Sequence, residues 1–333
     1  MTDKTEGYLE TSLDLEEYTL YLDGSFIGAE VEFEYRSKQY VICFPSFDLT
    51  ESDKKKEDDL RFYKPKSVAK NTRIKLNWLE RTKDRPYGHA YINTKTKTIN
   101  QFSCSRIIIR SVNKMTFEEA RDAKKDLEAW RSLFIAWQEV LKFRDLTANN
   151  LKVEQENEAE SYLVELPNDD FEEVRDPGAQ PKGVNIIASV VDYFSQADMR
   201  KTLSRCSLDI LPPDPHLRVI SALKLYNKDD YRQSLFDSAT AVEISLTALL
   251  DIRLDKVEIA VRNLLLDKYS GKGINSLLIA LKELKVVIND NEIKTKIALP
   301  RNQAIHKGTE VSSKQAKDAL NLAKDFIYLQ LKV

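Results

Sequence analysis

Residues 231–250 read YRQSLFDSATAVEISLTALL, and the spacing of their apolar side chains decides the fold of the second half of the chain. Leu235, Ala239, Val242, Leu246 and Leu249 recur at 4-3-4-3 intervals. That pattern lines one face of an α-helix and requires a partner helix to cover it. Asp229 or Asp230 stands where the first amides of the helix need an acceptor. Upstream, Asp214-Pro215 offers a cap and a first helical residue for a helix reaching about Tyr226. Downstream, a third helix spans about Lys256–Asp267, Ser270-Gly271-Lys272-Gly273 breaks it, and a short helix follows over about Ile274–Leu284. Another helix lies within Asn291–Gly308. The last begins at Ser312, where Gln315 completes a capping box and Val311 is placed to staple onto Ala316; it continues through Ala319, Ala323 and Ile327. Short loops between such helices predict an antiparallel helical bundle.

Upstream of this bundle the period changes. Leu211-Pro212-Pro213-Asp214-Pro215 cannot be helix interior, because proline lacks the amide and clashes with the preceding turn. The main boundary is expected there. In the first part, Glu30-Val31-Glu32-Phe33-Glu34-Tyr35 alternates polar and apolar, as a half-buried strand does. Arg36-Ser37-Lys38 turns the chain into a second run, Tyr40–Phe44. Asp23-Gly24 is read as a hairpin turn between Tyr18–Leu22 and Ser25–Gly28. Further strands are expected at Arg73–Leu79, Ala90–Asn93, Thr96–Gln101 and Arg106–Val112, and one or two within Leu151–Leu166. Thr116 and Glu119 form a capping box. Ala120, Ala123, Leu127, Trp130, Phe134, Trp137 and Leu141 then follow at helical spacing to about Arg144, a stripe that packs on the sheet. Glu51–Asp59 is read as an exposed charged loop, Asn168–Gly183 as a linker or long loop, and Asn185–Ser207 as β-branched first and helical later. The expected fold class is therefore α+β in two domains. Residues 1–180 make an antiparallel β-rich sensing or interaction domain with a helix at about 117–144, 181–213 a linker region, and 214–333 an all-α bundle.

The composition narrows the classes. The chain has 333 residues, 42% hydrophobic and 31% charged, so it is globular and long enough for two cores. A formal net charge of -2 supplies no global field for nucleic acid, so any such binding needs a local basic patch. Cys43, Cys104 and Cys206 have neither metal-ligand nor disulfide spacing. The acidic start lacks the apolar core of a signal peptide, and no apolar run reaches membrane-spanning length. A cytoplasmic protein without metal or cofactor is expected.

Residues 294–308, KTKIALPRNQAIHKG, carry the candidate chemistry. Asn302 and His306, at i and i+4, share a helix face. Arg301 and His306 point about 140° apart on a straight helix. A symmetric dimer would bring two copies of the motif together across a two-fold axis. The chain over about 215–333 resembles the HEPN superfamily, helical domains of prokaryotic toxins and phage-defence ribonucleases. Three features carry the resemblance. Tyr231–Leu250 looks like the family's second helix with an acidic residue, here Glu243. Arg301-Asn302-Gln303-Ala304-Ile305-His306 matches the R-polar-x-x-x-H motif. Lys307-Gly308 followed by Ser312–Leu329 looks like the closing helix. Pro300 departs from the pattern, standing where relatives continue a helix, and is expected to kink the helix or restart it at Arg301.

The resemblance implies a homodimeric, metal-independent RNA endonuclease leaving 2′,3′-cyclic phosphate ends, with a transfer or messenger RNA among its targets. A regulatory protein or phage-derived trigger would act at the first domain. The residue types suit that chemistry. Histidine, with an ordinary pKa near 6.5, moves protons at neutral pH. Arginine stabilises charge growing on phosphoryl oxygens, and Asn302 would orient a phosphate oxygen or the histidine. Lys294, Lys296, Lys307 and Lys314 supply a basic patch for the RNA backbone, with Glu243 in support. The competing reading is a non-catalytic module for dimerisation or nucleotide or protein binding, its recognition carried by the first domain. There Arg301 only pairs with Glu243, and His306 only satisfies carbonyls at a helix end. His89 is read as a turn residue and His216 as following a helix-starting proline; Arg262-Asn263 has no histidine after it.

Overall fold

The alternation over 30–35 forms strand β3 (Glu30–Tyr35), with Phe33 and Tyr35 buried and Glu30, Glu32 and Glu34 exposed. It pairs antiparallel with β4 (Lys38–Cys43), Phe33 opposite Tyr40 and Tyr35 opposite Lys38. Arg36 and Ser37, both at positive φ (49° and 61°), make the two-residue turn whose twist suits a hairpin. The structure, a computed structural model, describes residues 6–15, 18–47, 62–63, 73–74, 87–93, 98–143, 161–166, 193–269, 272–286 and 288–330. The architecture is α+β. The chain divides into two compact units, Met1–Gln138 with Leu146–Leu211, and Glu139–Asp145 with Pro212–Val333.

In the first unit a five-stranded sheet has the order β3-β4-β10-β1-β7, with β1 (Tyr8–Asp14), β7 (Arg73–Ile74) and β10 (Arg106–Ser111). Its pairings are antiparallel except β1 with β7, which is parallel. A four-stranded antiparallel sheet has the order β11-β8-β9-β2, with β2 (Leu20–Asp23), β8 (Gly88–Asn93), β9 (Ile99–Cys104) and β11 (Ser161–Leu166). A pair of two-residue strands, β5 (Ser46–Phe47) and β6 (Phe62–Tyr63), completes the described β-structure. Only Ser105 separates β9 from β10, so the chain passes there from one sheet to the other. Helix α1 (Phe117–Lys142) starts on its capping box, Thr116 N donating to Glu119 Oε2 at 2.7 Å and Glu119 N to Thr116 Oγ1 at 3.3 Å. Its stripe is buried from Ala120 to Trp137. Trp130 stacks on Phe33 and on Phe134, each with centroids 4.6 Å apart. The three cysteines are free and buried, and burial pushes the Cys43 thiol up to about 11 and Cys206 to about 12.

Several expectations change. Asp23-Gly24 makes no hairpin; Gly24–Phe26 is a 3₁₀ turn capped by the Asp23 carboxylate, and β2 pairs with the distant β9. His89 is not in a turn but within β8, opposite Glu165. Gly88 starts that strand because a Cβ there would meet the Ser103 carbonyl oxygen at 1.8 Å. As expected of the later part of Asn185–Ser207, the chain there is helical: α2 (Gln196–Ser207) is entered through a Ser195–Asp198 capping box and anchored by buried Met199, Leu203 and Cys206. Residues 51–59, 75–79, 96–97, 151–160 and 168–183, on which other expectations fall, lie outside the described residues.

In the second unit α3 (Asp214–Asn227) and α4 (Tyr231–Arg253) pack together, and α4 also packs on α6 (Ile274–Glu283) and α9 (Ser313–Gln330). Between α4 and α6 lies α5 (Ile259–Tyr269). Leu235, Ala239, Val242 and Leu246 are fully buried at the centre of this core. Asp230 caps α4, accepting from Gln233 N at 3.1 Å. Asp214 is the first residue of α3 rather than its cap, the cap position falling to Pro213. Ser312 and Gln315 form the expected box before α9.

Candidate functional site

Pro300 does not restart its helix at Arg301, because that helix already begins at Leu299. Residues Asp290–Ile293 (α7), a π-helical turn Lys294–Ala298 and Leu299–Lys307 (α8) follow one another without a break. Proline has no amide to donate and its ring presses on the previous turn. The π turn widens the path just before it, and the Leu299 N–H reaches back to the Lys294 carbonyl. Ile293, Ile297, Ala298 and Ala304 seat this segment on the core. It ends at Gly308, whose φ of 62° suits glycine and whose N–H closes on the Gln303 carbonyl.

Arg301, Asn302 and His306 of α8, Glu243 of α4, and Lys272 and Asn275 at the start of α6 line one cleft of about 320 Å³. Helix geometry alone sets Arg301 and His306 apart, yet both border this cleft within a single chain. Arg301 Nη2 lies 3.8 Å from Glu243 Oε2, an ion pair too long for a hydrogen bond. Two carbonyls near the end of α8 are satisfied by groups other than His306. Arg232 Nη2 donates to the Ala304 carbonyl at 3.2 Å, and Thr309 N donates to the Gln303 carbonyl. His306 is exposed, and among the described residues its ring and the side chains of Asn302, Lys272 and Asn275 make no hydrogen bond or ion pair.

The expected lysine patch is not assembled at the cleft. Lys294 pairs with Asp290 at 2.9 Å and Lys296 with Glu292 at 2.6 Å, each along its own helix. The Glu292 hydrogen bond raises the Lys296 pKa, and the Lys294 hydrogen bond lowers that of Asp290. Lys307 and Lys314 are exposed but do not line the cleft. His216 is buried against the Tyr328 ring, with centroids 5.0 Å apart, and Arg262 pairs with Asp251 at 2.6 Å. Among the described residues no group of three His, Cys, Asp or Glu side chains is placed to hold a metal ion. No described helix is long and apolar enough to cross a membrane.

Lys272 and Asn275 are the site residues that sequence reasoning missed. The signal was present in Ser270-Gly271-Lys272-Gly273, which reads as a helix break but also sets a lysine between glycines at the mouth of a helix. No family model, curated protein or solved structure matches the chain. The resemblance to HEPN domains therefore rests on the residues quoted for it.

Proposed function

We propose that the chain is a metal-independent RNA endonuclease of a defence or toxin-type system, cutting at the cleft lined by Arg301, Asn302 and His306. The observation that carries this reading is the chemistry of that cleft. It joins a guanidinium, an amide and an imidazole, and within it only Arg301 has a described partner, at 3.8 Å. His306 is exposed and Arg301 and Asn302 are half-buried, so a ligand entering the cleft can reach all three. The resemblance of Arg301–His306 to the R-polar-x-x-x-H motif adds the reaction class.

RNA carries its own nucleophile, so the protein need only position, move protons and balance charge. The 2′-oxygen attacks the adjacent phosphorus while His306 takes its proton. Arg301 holds the phosphoryl oxygens as negative charge grows on them, and Asn302 orients one of them. The bond from phosphorus to the 5′-oxygen breaks, leaving a 2′,3′-cyclic phosphate. The departing oxygen takes a proton from water or, in a homodimer, from the second copy's imidazole. Glu243 holds Arg301 in reach without tying it by a short hydrogen bond. A homodimer of the helical domain, and a trigger or regulatory protein acting on the β-rich part, belong to the same proposal.

The test is cleavage of single-stranded RNA by the full-length protein, with and without candidate triggers. His306→Ala and Arg301→Ala are each expected to lower the rate by about 10²–10⁴-fold, with the fold and the oligomeric state intact. Undiminished cleavage by both variants would sink the assignment. Discrete partner or nucleotide binding with no cleavage under any condition favours the non-catalytic module.

A further inference from the structure

The cleft has two sides of different origin. One is α8, with Arg301, Asn302 and His306. The other is the entry to α6, where Lys272 and Asn275 face the same space. Both belong to the second unit, and among the described residues Lys272 is the one lysine lining the cleft. Its contrast with Lys294 and Lys296 is chemical: those two are paired with carboxylates one helical turn away, whereas Lys272 has no carboxylate partner among the described residues. Gly273, at φ +82°, turns the chain into α6 immediately after Lys272, and a Cβ there would meet nothing within 4 Å.

Resting on the ribonuclease reading, we propose that Lys272 and Asn275 form the substrate-positioning side of the cleft, taking a nucleotide next to the scissile phosphate of single-stranded RNA. The Lys272 ammonium pairs with a phosphodiester oxygen beside the one that Arg301 holds, and the Asn275 amide bonds to the sugar or base between them. Two arguments select this ligand. An ammonium acts as a point charge on phosphate, while an asparagine offers both a donor and an acceptor to sugar or base edges. A cleft of about 320 Å³ is at the small end of ligand pockets, fitting a splayed nucleotide rather than a duplex. Lys272 and Asn275 touch substrate outside the reacting atoms. They set where the RNA lies, while His306 and Arg301 act on the phosphorus.

The experiment measures binding of a labelled single-stranded RNA oligonucleotide to full-length protein across a salt series. His306→Ala serves as the background, so that binding is read without cleavage. Lys272→Ala is expected to weaken binding roughly five- to tenfold at low salt. It should also flatten the plot of log K against log salt by about 0.7, the share of one lost phosphate contact on a single strand. Lys272→Arg should restore most of both. Asn275→Ala should weaken binding with no change in salt slope. An unchanged slope for Lys272→Ala, or no measurable RNA binding in the background protein, overturns the proposal. The two readings fail separately. If His306→Ala abolishes cleavage but Lys272→Ala keeps the parent's salt slope, the positioning role is wrong and the nuclease stands. If the slope falls as expected but the parent protein never cuts, the cleft binds RNA and the nuclease reading fails.

Discussion

Arg36 in the first unit and Arg301 in the second are both half-exposed arginines near carboxylates, but their surroundings differ. Arg36 donates to Asp126 at 3.0 Å and to Asp209 at 3.1 Å, and it lies over the Tyr35 ring at 5.0 Å. Lys38 shares Asp126 at 2.9 Å, and the Tyr35 hydroxyl donates to Asp209 at 2.7 Å. Every charge in that cluster is answered at hydrogen-bond distance. Arg301 has one carboxylate at 3.8 Å, beside an amide and an imidazole with no described partner. The first arrangement ties a β-turn to Asp126 of α1 and to Asp209 in the turn after α2, and serves stability. The second leaves its polar groups open to solvent, where a ligand can reach them.

The first region should respond to mutation through stability. The largest effect is expected at Trp130, fully buried and stacked between Phe33 and Phe134. Trp130→Ala should cost about 3–5 kcal/mol in denaturant unfolding. A loss under about 1 kcal/mol would contradict the packing of α1 on the sheet.

A smaller effect is expected at Asp126. Burial alone raises the pKa of its carboxyl, but the Lys38 and Arg36 hydrogen bonds and charges outweigh that and hold it below its ordinary value. Asp126→Asn should lower stability at neutral pH by about 1 kcal/mol. Because the folded pKa is the lower one, the stabilisation is present above the ordinary carboxylate range and fades as pH falls through the folded value. The gap between the parent protein and Asp126→Asn should therefore close on acidification below about pH 4. A gap that stays constant down to pH 2 would show that the pair contributes nothing through charge.

What could be read ahead of the structure follows from the range of the interactions. The α4 seam, the Thr116 and Ser312 capping boxes and the alternation of β3 are local patterns set within a few residues, and they appear as expected. The Asp23-Gly24 turn failed because the partner of β2 is β9, far along the chain, and no local signal encodes that pairing. Near Pro300 the irregularity lies one turn earlier than expected: a π turn over Lys294–Ala298 precedes the proline, and the helix does not restart at Arg301. At the site, the motif named α8's contribution, while Lys272 and Asn275 reach the cleft only through the packing of α6. Lys294 and Lys296 pair with i,i+4 carboxylates that stand in the same stretch of sequence.

The proposed reaction turns on attack by the RNA's own 2′-oxygen in the Arg301–His306 cleft. The most direct measurement uses a single-stranded RNA cut by the protein, resynthesised with one 2′-deoxynucleotide immediately 5′ of the scissile phosphate. Cleavage at that bond should be lost, neighbouring sites should still be cut, and the unmodified RNA should yield 2′,3′-cyclic phosphate ends. Continued cleavage at the deoxy position, or ends carrying a 5′-phosphate, would contradict it.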